Sequence, residues 1–270
     1  MEIDKRIDVL KENIRLESIP LQRTVEIDIF LPRQKEKREG NRLLLINDGQ
    51  DLEKLGLDKI LDNLYDNKSI HPLLCVGIHA SASRKLEYGT ADILDYKGRG
   101  SKAKKYTQFI FEELLPFLRY HYSSGDFIEK AFLGFSLGGL SALDIVWSQP
   151  QQFNRVGVFS GSLWWRSKDK LDPGYNDDSD RIMHQLIRRG SYYPWLKFFL
   201  ECGTADEQDD RNGNGVIDSI DDTLDLINEL EAKGYHQPND IQYLQLEDGR
   251  HDIATWARAM PEFLQWGWGR

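Results

Sequence analysis

The run Gly134-Phe135-Ser136-Leu137-Gly138-Gly139 sets a serine between glycines two residues before and two residues after it. That spacing has the form of a nucleophile elbow, in which a strand turns abruptly into a helix and holds the serine hydroxyl out at the tip. The glycines follow from the geometry. The serine backbone is strained there, and a β-carbon at either flanking position would collide with the turn. Because the pattern is short, its surroundings must support it. Ile128 to Phe135 is a mostly apolar run that reads as a buried strand, and Leu137 to Trp147 reads as a helix with Leu137, Leu140, Ala142, Leu143 and Val146 apolar.

A serine hydroxyl is a weak nucleophile at neutral pH and needs a base within hydrogen-bond reach. Chemistry in alternating α/β chains collects at the carboxyl ends of the strands, which sorts the six histidines. His121 and His236 follow helices and His71 precedes a strand, so these three fall at the opposite end. His184 lies in a polar-aromatic segment between two strands. His79 and His251 both follow strands. His251, in DGRHD after the last strand, is the expected base, because the chain order Ser, acid, His places it there. His79 precedes the serine and is expected at most in a pocket wall. The acid should follow the strand WLKFFLEC. Asp206 stands a turn beyond it, suited to orienting the histidine and stabilising its imidazolium, with Glu207 and later carboxylates as rivals. Two backbone N–H groups must face the developing oxyanion. Leu137, at a helix N-terminus, is expected to give one, and Gln50, after the close-approach residue Gly49, the other.

A second pattern concerns a cation. Asp210 to Asp221 reads DRNGNGVIDSID and follows the twelve-residue calcium loop. Asp210, Asn212, Asn214, Asp218 and Asp221 occupy positions 1, 3, 5, 9 and 12, Gly215 the bend, and Val216 offers its carbonyl at position 7. Asp replaces the usual Glu at the last position, as in dockerin modules, which the stretch resembles. The helix that enters a true EF-hand is missing, so the expectation is a structural calcium ion bracing the acid-bearing loop. No cofactor is expected for catalysis.

The elements that must position these residues come from periodicity. Leu21 to Leu31 alternates, with Val25, Ile27, Ile29 and Leu31 on one face, and reads as a strand with one wet side ended by Pro32. The charged stretch RQKEKREGN reads as a solvated hairpin loop. Leu43–Ile46, Pro72–Ile78, Phe153–Phe159, Trp195–Cys202 and Ile241–Leu246 are further strands. Helices are expected over Leu52–Tyr65, Lys104–Tyr120, Thr223–Lys233 and Ile253–Trp266. The 79–102 connection is long for a compact domain, which marks it as functional. The alternation of strands and helices predicts one doubly wound α/β domain over residues 1–270 with a mostly parallel sheet.

Composition excludes some partners. With 44 acidic against 35 basic residues the net charge is −9, which argues against nucleic acid and anionic membrane. No apolar run is long enough to span a bilayer. Cys75 and Cys202 sit in apolar strands and read as reduced thiols. The amino terminus lacks a signal-type apolar core, which predicts a cytoplasmic protein or an exported one whose signal peptide has been removed. Oligomeric state is not legible.

The chain resembles the esterase D / enterochelin esterase-like branch of the α/β-hydrolases. The resemblance runs through LLLINDGQDL, RKLEYG, FIFEELLPFLRYHY, AFLGFSLGGLSAL, SGSLWW, CGTADE and GRHDIATWARAMPEFLQW. It implies hydrolysis of a small-molecule ester through an acyl-serine intermediate. An acyltransferase using the same triad, or a non-catalytic calcium-braced binding protein, are the alternatives. His79, Arg84, Glu87, Tyr88, Trp164 and Trp165 are the expected pocket residues. Arg84 would meet an anionic group or pair with Glu87 or another acid, and the tryptophans would form a stacking wall or fill a lid.

Overall fold

The computed structural model describes residues 9–32, 41–123 and 125–270; the expected hairpin loop at 33–40 lies outside them. Among the described residues one sheet of eight strands organises the fold: β1 (Val9–Ser18), β2 (Arg23–Pro32), β3 (Arg42–Asn47), β4 (Leu74–Ile78), β5 (Glu129–Phe135), β6 (Arg155–Phe159), β7 (Lys197–Ala205) and β8 (Ile241–Arg250). Their order is β1-β2-β4-β3-β5-β6-β7-β8. The β1–β2 and β2–β4 pairings are antiparallel and every later one is parallel.

Helices cover both faces. α1 (Leu52–Leu55) and α2 (Leu57–Asp66) follow β3, and α3 (Arg84–Glu87) lies in the long connection after β4. α4 (Ala103–Gln108) and α5 (Leu115–Tyr122) flank a π-helical segment, Phe109–Leu114. α6 (Leu137–Ser148) follows β5, while α7 (Asp177–Asp180) and α8 (Ile182–Arg189) follow β6. α9 (Asp218–Lys233) and α10 (Ile253–Trp268) follow β7 and β8.

Successive strand residues point to opposite faces, so a strand covered on both sides must be apolar throughout. Leu43 and Leu45 belong to the core on the side of α6, α8 and α9, whereas Leu44 and Ile46 belong to the core on the side of α1, α2 and α10. This is the doubly wound α/β arrangement the alternation predicts.

The departures have physical causes. The expected 52–65 helix breaks at Gly56, whose φ of 75° ends the first turn. The 104–120 helix is continuous but widens into the π segment. The expected wet face of β2 is only half wet: Thr24 is exposed and Glu26 half-buried, but Asp28 and Phe30 are buried. Phe30 joins the α2/α10 core, and Asp28 is held by Asn13 Nδ2 at 2.8 Å. β1 itself was not foreseen from the sequence. It forms one sheet edge with Lys11, Glu12, Arg15 and Glu17 exposed, and is held by a ten-residue register against β2.

Candidate active site

Ser136 stands between β5 and α6 at φ 54° and ψ −122°, a backbone conformation disfavoured for a residue with a β-carbon. A β-carbon on Gly134 would lie 2.1 Å from the Gly138 carbonyl oxygen, which fixes glycine at that flank. The strained turn is clamped from both sides. Ser136 N donates to Phe159 O at 2.8 Å, and Ser136 O accepts from Gly139 N and Ser162 N, both at 3.0 Å. Ser136 Oγ lies 3.4 Å from Ser162 Oγ. Among the described residues the Leu137 and Gln50 N–H groups make no hydrogen bond, as expected of donors left for a ligand.

The loop after β3 is held against the elbow by a buried polar network. Asn47 Nδ2 donates to Gly138 O at 2.7 Å, and Tyr106 donates its hydroxyl proton to Asn47 Oδ1 at 2.6 Å. Asp48, at φ 61°, donates its N–H to the Tyr88 hydroxyl and accepts a two-pronged bond from Arg84 at 2.6 and 2.7 Å. Arg84 Nη2 also reaches Phe135 O at 3.3 Å, which brings its charge beside the serine. A β-carbon on Gly49 would lie 2.4 Å from the Gly77 carbonyl carbon, so this loop rests directly on β4.

His251 follows β8, half-exposed and packed edge-on against Trp256 with centroids 5.4 Å apart. Its Nδ1 is 3.9 Å from Asp206 Oδ1, ion-pair range rather than hydrogen-bond range. Ser136 and His251 share no hydrogen bond here; such contacts are commonly loose before substrate is bound. Burial holds the imidazole pKa below its usual value; Asp206 opposes this and the nearby Arg84 charge adds to it. The Asp206 side chain is buried and receives Ser160 Oγ at 3.1 Å and Cys202 Sγ at 3.3 Å. Glu207 instead faces the backbone of Ser219, and burial raises its carboxyl.

The expected pocket residues divide. Glu87 and Tyr88 are not pocket walls: each is only 1% exposed. Glu87 accepts a two-pronged bond from Arg23 at 3.0 and 2.8 Å, and Tyr88 is committed to Asp48. Trp165 is likewise fully buried, its Nε1 donating to Thr90 Oγ1 at 3.0 Å, so it fills core and is no stacking wall. Arg84 pairs with Asp48, not Glu87. Trp164 is half-buried, with the Arg99 guanidinium 4.7 Å from its ring. His79 is half-buried, its Nε2 3.2 Å from Asp28 Oδ2, and lines an open cleft of about 530 Å³ along β2 with Arg15, Arg23 and Glu26.

The 210–221 loop folds on itself. Asp210 accepts from the N–H groups of Gly213, Asn214 and Gly215 at 2.8, 3.2 and 2.9 Å. Asn212 and Asn214 both turn their amides to Asp221 Oδ2, at 2.9 and 2.8 Å. Asp218 is taken by Arg211, whose N–H donates to Oδ1 at 2.7 Å. Among the described residues no group of three or more His, Cys, Asp or Glu gathers at one point, so an ion here would depend on the asparagine and backbone oxygens. Sequence reasoning missed Asp48, Ser160, Ser162 and Glu201 around the serine and its acid. The paired serines of SGSLWW and the lone carboxylate inside WLKFFLEC were the visible signals.

The fold is shared with solved esterase structures. The enterobactin esterase FES from Shigella flexneri, in the presence of enterobactin, superposes with a TM-score of 0.73 at 20% identity over 96% of this chain and 58% of that one. A ferulic acid esterase gives 0.70 at 18% identity over 97% and 98%, and the BES protein from Bacillus cereus 0.74 at 16% over the whole of both chains. The chain thus spans 58% of the enterobactin esterase's length. A search of curated protein sequences found no match. The family model described as "Putative esterase" matches residues 18–266, and the chain belongs to that family. Among the described residues no helix is long and apolar enough to cross a membrane.

Proposed function

We propose that residues 1–270 form one α/β-hydrolase domain and that it cleaves small-molecule esters through an acyl-Ser136 intermediate. The observation that carries this reading is the strained Ser136 at the end of β5, with buried Asp206 and His251 at the same ends of the parallel strands β7 and β8. Ser136 Oγ attacks the ester carbonyl as its proton passes to His251. The Leu137 and Gln50 N–H groups hold the oxyanion. Asp206 stabilises the imidazolium, which then protonates the leaving alcohol. Water attacks the acyl-enzyme, again giving its proton to His251, and the acid leaves with Ser136 restored.

p-Nitrophenyl acetate and butyrate test this directly. Ser136→Ala should lower kcat by about 10³-fold or more, and undiminished turnover would sink the serine mechanism. Because burial keeps His251 neutral further into acid, kcat/KM should rise with pH through a midpoint below the ordinary histidine value. A midpoint above that value would contradict the assignment. The structural neighbours include an enterobactin esterase and a ferulic acid esterase, so catechol-serine and feruloyl esters belong in the first substrate panel.

The 210–221 loop is proposed as a structural calcium site using Asp210, Asn212, Asn214, the Val216 carbonyl, Asp218 and Asp221. The twelve-residue spacing of these oxygen donors supports it; to bind an ion, Asn212 Oδ1 and Asn214 Oδ1 would exchange the N–H groups of Asn214 and Val216, which they accept at 3.1 and 2.7 Å, for the cation. Asp218, at the position often filled through water, would contribute indirectly while held by Arg211. Saturating calcium should raise Tm by about 5 °C or more in wild type and not in Asp210→Ala. Equal melting in calcium and EDTA would exclude the site.

A further inference from the structure

Glu201 is a buried carboxyl that the proposed mechanism leaves idle. It lies on β7, two strands from β5 and its elbow, its side chain 1% exposed, with Oε1 buried and without a hydrogen-bond partner among the described residues. Its other oxygen, Oε2, is 3.5 Å from Ser160 Oγ. The same hydroxyl is 3.1 Å from Asp206 Oδ1, the oxygen that faces His251, and receives Trp256 Nε1 at 2.9 Å. Two strand ends create this meeting: Ser160 follows β6, and its N–H is pinned at 2.8 Å to the carbonyl of Glu201 itself.

Hydrogen accounting fixes the direction of the bonds. A serine hydroxyl has one proton to give and two lone pairs to fill. Trp256 fills one lone pair. If both carboxyls were ionised, they would compete for the single Ser160 proton, and Glu201 Oε1 would be a buried charged atom with no donor. Placing a proton on Glu201 resolves both problems. Glu201 then donates to Ser160, Ser160 donates to Asp206 Oδ1, and one negative charge remains on the carboxylate next to His251.

On the triad reading above, we propose that Glu201 is a positioning residue for the catalytic acid, acting through a one-way chain from Glu201 to Ser160 to Asp206. The charge balance is consistent with it. Burial, reinforced by the Asp206 charge, raises the Glu201 carboxyl to about 8, against lowering by Ser160 and Arg258. The other titratable groups packed around the pair are Cys202 beside it on β7, Tyr243 on β8 and His251 after β8; burial raises both the thiol and the phenol, keeping them neutral. Above the Glu201 transition a second carboxylate would pull the Ser160 proton away from Asp206.

The test is the pH profile of p-nitrophenyl butyrate hydrolysis from pH 6 to 9.5, corrected for spontaneous hydrolysis. Glu201→Gln keeps a donor to Ser160 without a titrating proton, so it should hold wild-type kcat at pH 7 to within about threefold. It should also abolish the wild-type decline above about pH 8. Glu201→Met and Ser160→Ala each break the chain and should lower kcat about tenfold with KM changed less than about twofold. Melting curves identify any variant that fails to fold, and Glu201→Gln, the closest in shape, then decides. A Glu201→Gln profile identical to wild type, or full kcat in a folded Glu201→Met, overturns the proposal. Ser136→Ala and His251→Ala, assayed alongside, separate the two claims. If both are inactive while the Glu201 variants behave as wild type, only the Glu201 role fails; if both are active, the triad fails and the relay with it.

Discussion

The connection between β4 and α4 and the connection between β7 and α9 flank the candidate site, yet they are held by opposite means. The first is built into the core. Gly89 and Gly100 press on the Trp165 ring, which a β-carbon at either would approach to 2.6 and 3.1 Å. Trp165 returns a hydrogen bond to Thr90, buried Asp144 on α6 accepts the Ala91 N–H at 2.9 Å, and Glu87 clasps Arg23. The second is a clasp of charges: Lys170 pairs with Asp209, and Arg211 reaches Asp177, Asp218 and Asp222 at 2.9, 3.2 and 2.9 Å. The contrast suggests a division of labour. The wall carrying Arg84 is preorganised by packing, whereas the loop that follows Asp206 is set by ion pairs.

Removing the largest packing anchor should expose the difference most. Trp165→Ala should cost about 3–5 kcal/mol and lower activity together with stability, because the 79–102 connection loses the surface it lies on. A well-folded Trp165→Ala with an unchanged Tm would mean that the ion pairs, not the ring, hold that wall. Arg211→Met should cost about 1–3 kcal/mol, because Asp222, the most enclosed of its acids, keeps Arg181 as its remaining partner. Its mark should be a proteolytic cut within 206–217 before any cut in 79–102; the reverse order would contradict the assignment of the two anchors.

The last effect concerns Asp144. Burial raises its carboxyl to about 7, above the ordinary value near 4. A carboxyl raised by folding is bound to its proton more tightly in the native chain. Its contribution to stability is therefore largest when protonated and falls as pH rises towards about 7. Asp144→Asn retains an acceptor for Ala91 and never ionises. It should melt level with wild type near pH 4, pull ahead as pH rises towards about 7, and stand roughly 5 °C or more above it at pH 8. A difference that does not change with pH would show that the carboxyl is not ionising inside the fold.

What the sequence disclosed follows from how local each signal is. β3, β4, β5 and β7 were legible because strands buried on both faces must be apolar without interruption. Ser136 was legible because the elbow writes its glycines beside it, and His251 because its place after a strand is set by chain order alone. β1 was not legible: its outward residues are charged, and its pairing with β2 supplies the stability that its own sequence lacks. Glu201 and Ser160 meet because Phe159 is paired with Glu201 across β6 and β7, a register no single segment carries. The Arg84–Asp48 bond joins residues 36 positions apart. Each acid had several possible partners, so Glu87 was readable as a neighbour of Arg84 although the fold gives it to Arg23.

The edge strand β1 has a consequence for the protein in bulk. An unpaired edge is a template on which a second molecule can lay its own strand, and order spreads from there. Along β1, charges of both signs, Lys11, Glu12, Arg15 and Glu17, stand out at close intervals and spoil any flat apolar contact. Replacing them together with threonine or valine would leave the distant serine untouched. It would make crowding itself the hazard, with fibrous or gelled material forming at concentrations the native chain tolerates.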